Sequence, residues 1–504
     1  LLGGMQVKSA DRQNFSNTGY GYQYDNGGLP APDYRILKQT IESNFPYYEM
    51  GKDYDRFVAF YATGNYTFNS KYNFTATGRY DGSNRLGKSS TARWLPTWSV
   101  AASWNVDRES FMRDVDWLDN LLFRASYGLT ASMGPANNSN VVLRSINANR
   151  PYLSERESVI QLASLENSEL TWEKSYTANI GIDATLLDRR LNVSIDVYQR
   201  KSFDLISIIK TSGIGGEAYK AANYADMNSW GSELLLGGEI VRGRNWGWKS
   251  SLTVGYNENQ ITNAKNIPDI FSLVVAEGGN KEGYPVRSLF SINYKGLDHN
   301  TGIPQFVDEN GKTAAAVYLQ DQKTEHLVYE GPVDPPLNGG FSNTFHYKAF
   351  SANIFITYQA GNKIRLYPAF KTYYSDLDAM PREFNDRWVL PGDELLTNVP
   401  SIVEAFEAAQ LNAAYPYNNY NYSTQRVAKG DFIRLKTVSL SYQLPANTIQ
   451  RIGFNSVSFT ATAANLWLIY ADKKLKGQDP EFFNSGGVAQ PIQKQITLSV
   501  KLGI

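Results

Sequence analysis

The feature that most constrains this chain is a two-residue alternation of apolar and polar side chains, sustained far longer than a soluble strand requires. Tyr72, Phe74, Ala76, Gly78 and Tyr80 form one face of a segment whose other face is Asn73, Thr75, Thr77, Arg79 and Asp81. Tyr176, Ala178, Ile180, Ile182, Ala184 and Leu186 alternate in the same way with Ser175, Thr177, Asn179, Gly181, Asp183 and Thr185. The chain closes on Ile496, Leu498, Val500, Leu502 and Ile504, interleaved with polar or small residues. Side chains of successive strand residues point to opposite faces, so each segment has one apolar and one polar wall. Soluble strands average about 5–6 residues. A membrane-spanning strand needs about 9–11, with lipid on one face and a wet lumen on the other. Small Ala and Gly on the apolar wall suit lipid contact better than an interlocking core. The pattern predicts an all-β fold, a transmembrane antiparallel β-barrel.

About fifteen such strands are predicted, over 1–10, 56–69, 71–82, 94–106, 120–132, 173–187, 190–203, 228–242, 246–260, 286–296, 340–347, 349–361, 431–444, 454–468 and 493–504. Their connections alternate in length. Asn69-Ser70, Asp188-Arg189, Gly243-Arg244-Asn245 and Tyr347-Lys348 are tight, whereas 11–55, 133–172, 204–227, 261–285, 362–430 and 469–492 are long. Short turns at one end and long loops at the other is the layout of a bacterial barrel with its long loops outside. The alternation lapses between 297 and 339, where a further strand is expected at 302–306 or 313–319. Arg108–Asn120 and Pro445–Ile452 read as helical connectors. Trp94 with Trp98, Trp246 with Trp248, and Trp467 with Tyr470 lie near strand ends, as aromatic girdles at the headgroup level would.

Composition agrees and narrows the function. The chain has 504 residues, 49 basic and 49 acidic side chains, no Cys, 33 Tyr and 43 Asn. Zero net charge argues against nucleic-acid binding, which needs a positive field. Without Cys there is no disulfide framework, thiolate zinc site or thiol nucleophile. No apolar run approaches the ~20 residues of a transmembrane helix. The opening Leu1-Leu2-Gly3-Gly4-Met5 reads as mid-strand, so the domain is expected to be residues 1–504 of one barrel, with earlier strands N-terminal to it.

Seven ordered segments carry a family resemblance. Gly430-Asp431-Phe432-Ile433-Arg434-Leu435-Lys436, with Tyr442-Gln443-Leu444-Pro445 behind it, resembles the "GDF-RLK-V-L-Y-LP" signature of SusC/RagA-like TonB-dependent transporters. Ala464-Asn465-Leu466 and Asp479-Pro480-Glu481 resemble that family's "NL…DPE" elements. Arg79-Tyr80-Asp81-Gly82-Ser83-Asn84-Arg85-Leu86-Gly87 is similar to its strand-to-loop motif, and Trp94–Trp104 to the strand that follows. Leu122–Gly128, Leu170–Ser175 and Gly340–Phe345 match further elements in order. The residues themselves read as folding signatures, since Asp-Gly and Gly-Asp are turn formers and Pro445 ends a ladder. The resemblance implies a barrel of the 22-stranded type with a plugged lumen. It also implies that an N-terminal plug domain and early strands precede this sequence. Its implied partners are a SusD-like surface lipoprotein, outer-membrane lipid and, through the N-terminal part, the TonB–ExbB–ExbD complex. The implied function is import of oligosaccharides or peptides across the outer membrane of a Gram-negative bacterium. A structural or secretion-associated barrel, or a soluble sugar-binding β protein or glycoside hydrolase, stays open on sequence alone. One departure is that such barrels usually finish on an aromatic residue, whereas this chain ends on Ile504.

Catalytic signals are weak, and no enzyme is read here. His299, His326 and His346 lie in no metal-binding spacing. Gly213-Ile214-Gly215-Gly216 lacks the lysine of a phosphate loop. No cofactor is expected beyond a faint likeness of Asp298–Gly302 and Asp308–Gly311 to calcium loops, neither with a complete ligand ladder. Binding is the better expectation. Tyr20, Tyr22 and Tyr24, Tyr373 and Tyr374, and Tyr415, Tyr417, Asn419, Tyr420 and Tyr422 cluster in the long loops. Flat rings stack on sugar faces or peptide side chains, and amides and phenols hydrogen-bond to hydroxyl or peptide groups.

Overall fold

The computed structural model describes all residues except 24–28, 31–32, 44, 46–47, 89, 135–138, 150–155, 212–218, 372–373, 375–379, 381, 411, 446–448, 450–453, 484–492 and 504. Fourteen strands form one continuous antiparallel sheet. They are β1 (Leu2–Asn17), β2 (Tyr48–Phe68), β3 (Tyr72–Ser83), β4 (Trp94–Asn105), β5 (Leu118–Ser132), β6 (Glu173–Leu186) and β7 (Leu191–Lys210). They continue as β8 (Tyr219–Arg242), β9 (Trp246–Ala264), β10 (Leu337–Tyr347), β11 (Phe350–Ala360), β12 (Phe432–Gln443), β13 (Ser456–Ala471) and β14 (Gln495–Gly503). Each pairs with its sequence neighbour, and among the described residues nothing pairs with the outer edges of β1 and β14.

Around β6 the register keeps like walls together. Gly181 on β6 faces Asp196 and Arg124, and Ile180 faces Val197 and Ala125, so polar meets polar and apolar meets apolar. A one-residue slip would exchange the walls, which pins the pairing. On the apolar face, aromatic rings line up in two rows. Tyr72, Trp104 and Phe123 stack at 6.2 and 6.1 Å near the tight turns. Trp98, Tyr127, Tyr176 and Phe203 follow one another at 5.6, 6.0 and 5.7 Å nearer the long loops. On β9 the rows are marked by Trp248 and Tyr256, ~27 Å apart along a strand, comparable with the ~25 Å apolar band of outer-membrane barrels once tilt is allowed. Large apolar side chains between the rows, among them Ile180, Val197 and Leu236, are exposed.

Fourteen of the fifteen predicted spans are strands of this sheet; 286–296 is not. Ser288–Ser291 pairs with Val328–Pro332, and Tyr294–Leu297 with Pro304–Val307, in small separate sheets. Ser288, Leu289, Phe290 and Ser291 are buried on both faces, which a membrane strand never is. The described residues of connectors 265–336 and 361–431 fold together as a cap at the long-loop end, around Ile270, Leu273, Phe290, Ile292, Phe306, Phe370, Phe384 and Tyr420. The expected helix at Arg108–Asn120 is two short 3₁₀ turns, Val106–Arg108 and Ser110–Met112. Most of Pro445–Ile452 lies outside the described residues.

Candidate functional site: cap, rim and polar wall

The rim gathers three of the sequence motifs. Arg79 Nε donates to Asp81 Oδ1 at 2.6 Å, and Arg79 Nη2 donates to Gln6 Oε1 at 2.9 Å. Asn84 bridges β2, accepting from the Arg56 amide and donating to the Tyr54 carbonyl. Leu86, Leu170, Trp172 and Ile206 close into a buried knot. Gly87 lies so tightly against it that a Cβ would sit 2.0 Å from the Ser168 carbonyl oxygen. Asn223 fastens the 170–172 segment, accepting from the Thr171 amide and donating to the Thr171 and Asp204 carbonyls. The late motifs also meet. Arg434 and Asp479 form an ion pair with both side chains under 5% exposed, and Glu481 lies 3.3 Å from Arg434 Nε. Asp431 caps the Gly361 amide at 2.7 Å. These residues are committed to folding, which is what their turn chemistry foretold.

The cap is bolted by one cation. Arg365 is buried and donates to the carbonyls of Val274, Phe290 and Ser423 and to Ser291 Oγ, joining both connectors. Burial pushes its guanidinium down to about 9, still charged at neutral pH.

Several proposed binding residues belong to this interior. Tyr417 is 1% exposed and donates to the Ser401 carbonyl. Burial pushes its phenol up to about 12. Asn419, 2% exposed, grips the Val317 backbone at 2.8 Å to N and 3.0 Å to O, and Asn421 grips Phe370 in the same way. Tyr420 is buried and donates to the Asn398 carbonyl, while Tyr422 is half-buried edge-on to Phe271. Expecting Tyr417, Asn419 and Tyr420 to touch cargo is therefore corrected: they are internal pins. Residues 414–421 form a short helix whose Tyr417, Tyr420 and Asn421 face inward, a helical spacing that reads as a loop when only residue type is considered.

The remaining candidates sit differently. Tyr415 is 58% exposed, its ring 6.4 Å from that of exposed Tyr318. Tyr22 is exposed and Tyr20 half-buried. Tyr374 is half-buried, donating to the Ala369 carbonyl at 2.6 Å and packing on Phe384. Tyr24 and Tyr373 lie outside the described residues.

Sequence reading missed an apolar knob on the cap. Leu395 and Leu396 are 84% and 87% exposed, with Val389 and Leu390 beside them. The knob is held, not slack. Gly392 takes φ 106°, Asp393 Oδ2 accepts from the Val389 and Leu390 amides, and Glu394 accepts from Trp388 Nε1, the Gly392 amide and His299 Nδ1. The His299 bond leads in holding the Glu394 carboxyl down at about 2. The signal available in sequence was Leu390-Pro391-Gly392-Asp393, a turn flanked by leucines.

The polar wall is mostly hydroxyl and amide, laced by cross-strand pairs such as Ser175–Ser202 at 2.8 Å and Ser439–Thr462 at 2.8 Å. Its densest charge group is Arg124, donating to Asp183 at 2.7 and 3.1 Å and to Asp196 at 3.0 Å. Among the described residues no three His, Cys, Asp or Glu gather as a metal site. Asp298 accepts from Asn300, Thr301 and Gln305, and Asp308 from the Asn310 and Lys312 amides, as turn-forming carboxylates do.

Residues 2–466 match the family described as "TonB dependent receptor-like, beta-barrel". The chain belongs to that family. It is accordingly part of an outer-membrane β-barrel of a receptor and transport family rather than an enzyme family. The polar wall of this receptor barrel is its lumen face, and the girdled apolar wall meets lipid. The receptor chain is 27% identical over 477 residues to TonB-dependent receptor P39 of Formosa agariphila, covering 86% of this chain and 44% of that one. It is 25% identical over 519 residues to TonB-dependent receptor SusC of Bacteroides thetaiotaomicron, covering 98% and 47%. Its fold is similar to a chain in the solved structure of the RagAB peptide transporter, at a TM-score of 0.77 and 22% identity, over 99% of this chain and 52% of that one. The receptor chain thus spans about half the length of the relatives it matches.

Proposed function

We propose that this chain is the greater part of the barrel of an energised importer that takes oligosaccharides or peptides across the outer membrane. A SusD-like lipoprotein acts as its surface lid, and the TonB–ExbB–ExbD complex drives it through the N-terminal part of the full receptor. The observation that carries this reading is the cap. It is a rigid, cross-bolted shelf at the mouth of a polar lumen. It displays a preorganised apolar knob, Leu390 with Leu395 and Leu396, where a loop in water would ordinarily bury or omit such residues. A knob of this kind suits a partner's pocket, and the exposed Tyr318–Tyr415 pair suits stacking on a sugar or peptide. Likeness to the RagAB peptide transporter supports the peptide class, and the glycan class is what the resemblance of the 430–445 signature implies.

The test is uptake of labelled oligosaccharide and peptide pools by cells with and without a functional TonB. Energised import predicts that uptake of one pool collapses without TonB. Unchanged uptake of both would overturn the reading. Purification of the receptor from native membranes is expected to bring a SusD-like lipoprotein with it. A protein-export channel in its place would favour a secretion scaffold.

A further inference from the structure

The β4–β5 connector, residues 106–117, folds back onto the lipid-facing wall. Glu109 accepts from Tyr72 Oη at 2.6 Å, Trp104 Nε1 at 3.1 Å and Lys71 Nζ at 2.8 Å, and two of these donors belong to the aromatic row near the tight turns. Arg108 Nη1 donates to the Ser70 carbonyl at 2.6 Å. The neighbouring β6–β7 turn is fastened to the end of this connector. Leu187, Asp188 and Arg189 take φ of 58°, 56° and 62°, left-handed values that non-glycine residues keep only where their surroundings impose them. The Leu187 amide donates to the Trp117 carbonyl at 2.8 Å, and the Arg189 amide to Asp119 Oδ2 at 2.9 Å. Connector and turn make one fixed ledge at the foot of β5 and β6.

The ledge displays two kinds of group. Phe111, Trp117 and Leu187 are each more than half exposed. They continue an apolar wall that ends on β5 at Leu118 and on β6 at Leu186, its partner in register. The phospholipid leaflet that meets the wall therefore meets them. Beside them stand exposed Arg113 and Arg189 and exposed Asp114, Asp116 and Asp188. None of these five side chains is spent on a hydrogen bond or ion pair among the described residues. Charges of both signs select the headgroup. A free guanidinium pairs well with phosphate. The carboxylates repel a headgroup that is only negative, and they accept from an ammonium that carries N–H groups. We propose that this ledge docks zwitterionic phospholipid bearing a primary ammonium. Lipid phosphates meet Arg113 and Arg189, the ammonium groups meet Asp114, Asp116 and Asp188, and Phe111, Trp117 and Leu187 seat at the boundary between headgroups and acyl chains.

The experiment places the full-length receptor in nanodiscs holding equal amounts of phosphatidylethanolamine, phosphatidylcholine and phosphatidylglycerol. Native mass spectrometry then counts the lipids each receptor retains. The ledge predicts that phosphatidylethanolamine is retained about fivefold over either of the others, as a few exposed charge contacts would give. Arg113→Gln and Arg189→Gln combined with Asp114→Asn, Asp116→Asn and Asp188→Asn should bring the three lipids to parity. Lys473→Gln, in a loop at the opposite end, should leave the preference intact. A fluorophore on Phe111→Cys, in a background freed of any other cysteine, should be quenched by lipid brominated in its acyl chains. The same label on Leu395→Cys, in the cap, should not be. Heat-modifiable gel mobility verifies that each variant folds. Any of the following overturns the proposal: equal retention of the three lipids, a preference for phosphatidylglycerol or phosphatidylcholine, a phosphatidylethanolamine preference that survives the five substitutions, or a label at 111 that escapes quenching.

Discussion

Asn419→Ala separates an internal pin from a cargo contact. In the native cap, the Asn419 amide satisfies both the N–H and the C=O of Val317 across a buried junction, at 2.8 and 3.0 Å. Alanine leaves two buried backbone groups unpaired. Each costs about 1–3 kcal/mol, so the cap should lose about 2–6 kcal/mol. The barrel, which shares none of these bonds, should be indifferent, and the loss should appear as local opening rather than a lower global melting temperature. Hydrogen exchange by mass spectrometry reads this directly. Peptides covering 313–319 and 414–423 should exchange roughly 30-fold to about 10⁴-fold faster, the range that ~2–6 kcal/mol implies, with β6 and β7 unchanged. Asn421→Ala should act alike on the segment around Phe370. Tyr415→Ala, at an exposed site, should leave exchange unaltered and alter only ligand capture. Unchanged protection in Asn419→Ala, together with lost ligand binding, would refute the reasoning and restore Asn419 to the cargo-contacting set.

Leu86→Ala empties a fully buried position in the rim knot and is expected to cost about 2–5 kcal/mol, seen as faster proteolysis within 165–172. Asp479→Asn strips the charge partner from the buried Arg434, leaving only Glu481 at 3.3 Å. A loss of about 3–5 kcal/mol is expected, and replacing both partners by apolar residues should do less harm than Asp479→Asn alone. Glu109 accepts from Lys71, Tyr72 and Trp104, and these bonds hold its carboxyl down at about 2, below its ordinary 4.5. A depressed folded-state value gives stability that is present above about 4.5 and lost as the pH falls toward 2. The 106–117 connector should therefore loosen over that window, read by Trp104 fluorescence, and Glu109→Gln should abolish the pH dependence.

Residues 176–186 show why so much of the barrel was legible. A membrane strand answers to one local rule, apolar outside and polar inside, and period two states it without reference to the rest of the fold. The cap obeys no such rule. Ser288-Leu289-Phe290-Ser291-Ile292 is short and apolar enough to pass for a strand of the barrel, yet it is buried on both faces by connector residues up to 130 positions away. Tyr417 and Asn419 have the chemistry of ligand contacts. Whether that chemistry faces a sugar or Ser401 and Val317 depends on tertiary partners that no local pattern reveals. The rim motifs lay between these cases. Gly87 and Asn84 were readable as turn residues, but the Leu86–Leu170–Trp172 knot that needs them joins segments far apart in sequence.

The central claim is that one wall of this sheet meets lipid and the other the lumen. This chain has no Cys, so once any cysteine elsewhere in the full receptor is replaced by serine, single cysteines can be placed at each position from 176 to 186 and spin-labelled in native membranes. The account predicts a strict alternation: labels at 176, 178, 180, 182 and 184 relax with oxygen dissolved in lipid, and labels at 177, 179, 181, 183 and 185 do so with a water-soluble nickel chelate, or with neither where the lumen is filled. Equal oxygen accessibility at both sets would contradict it.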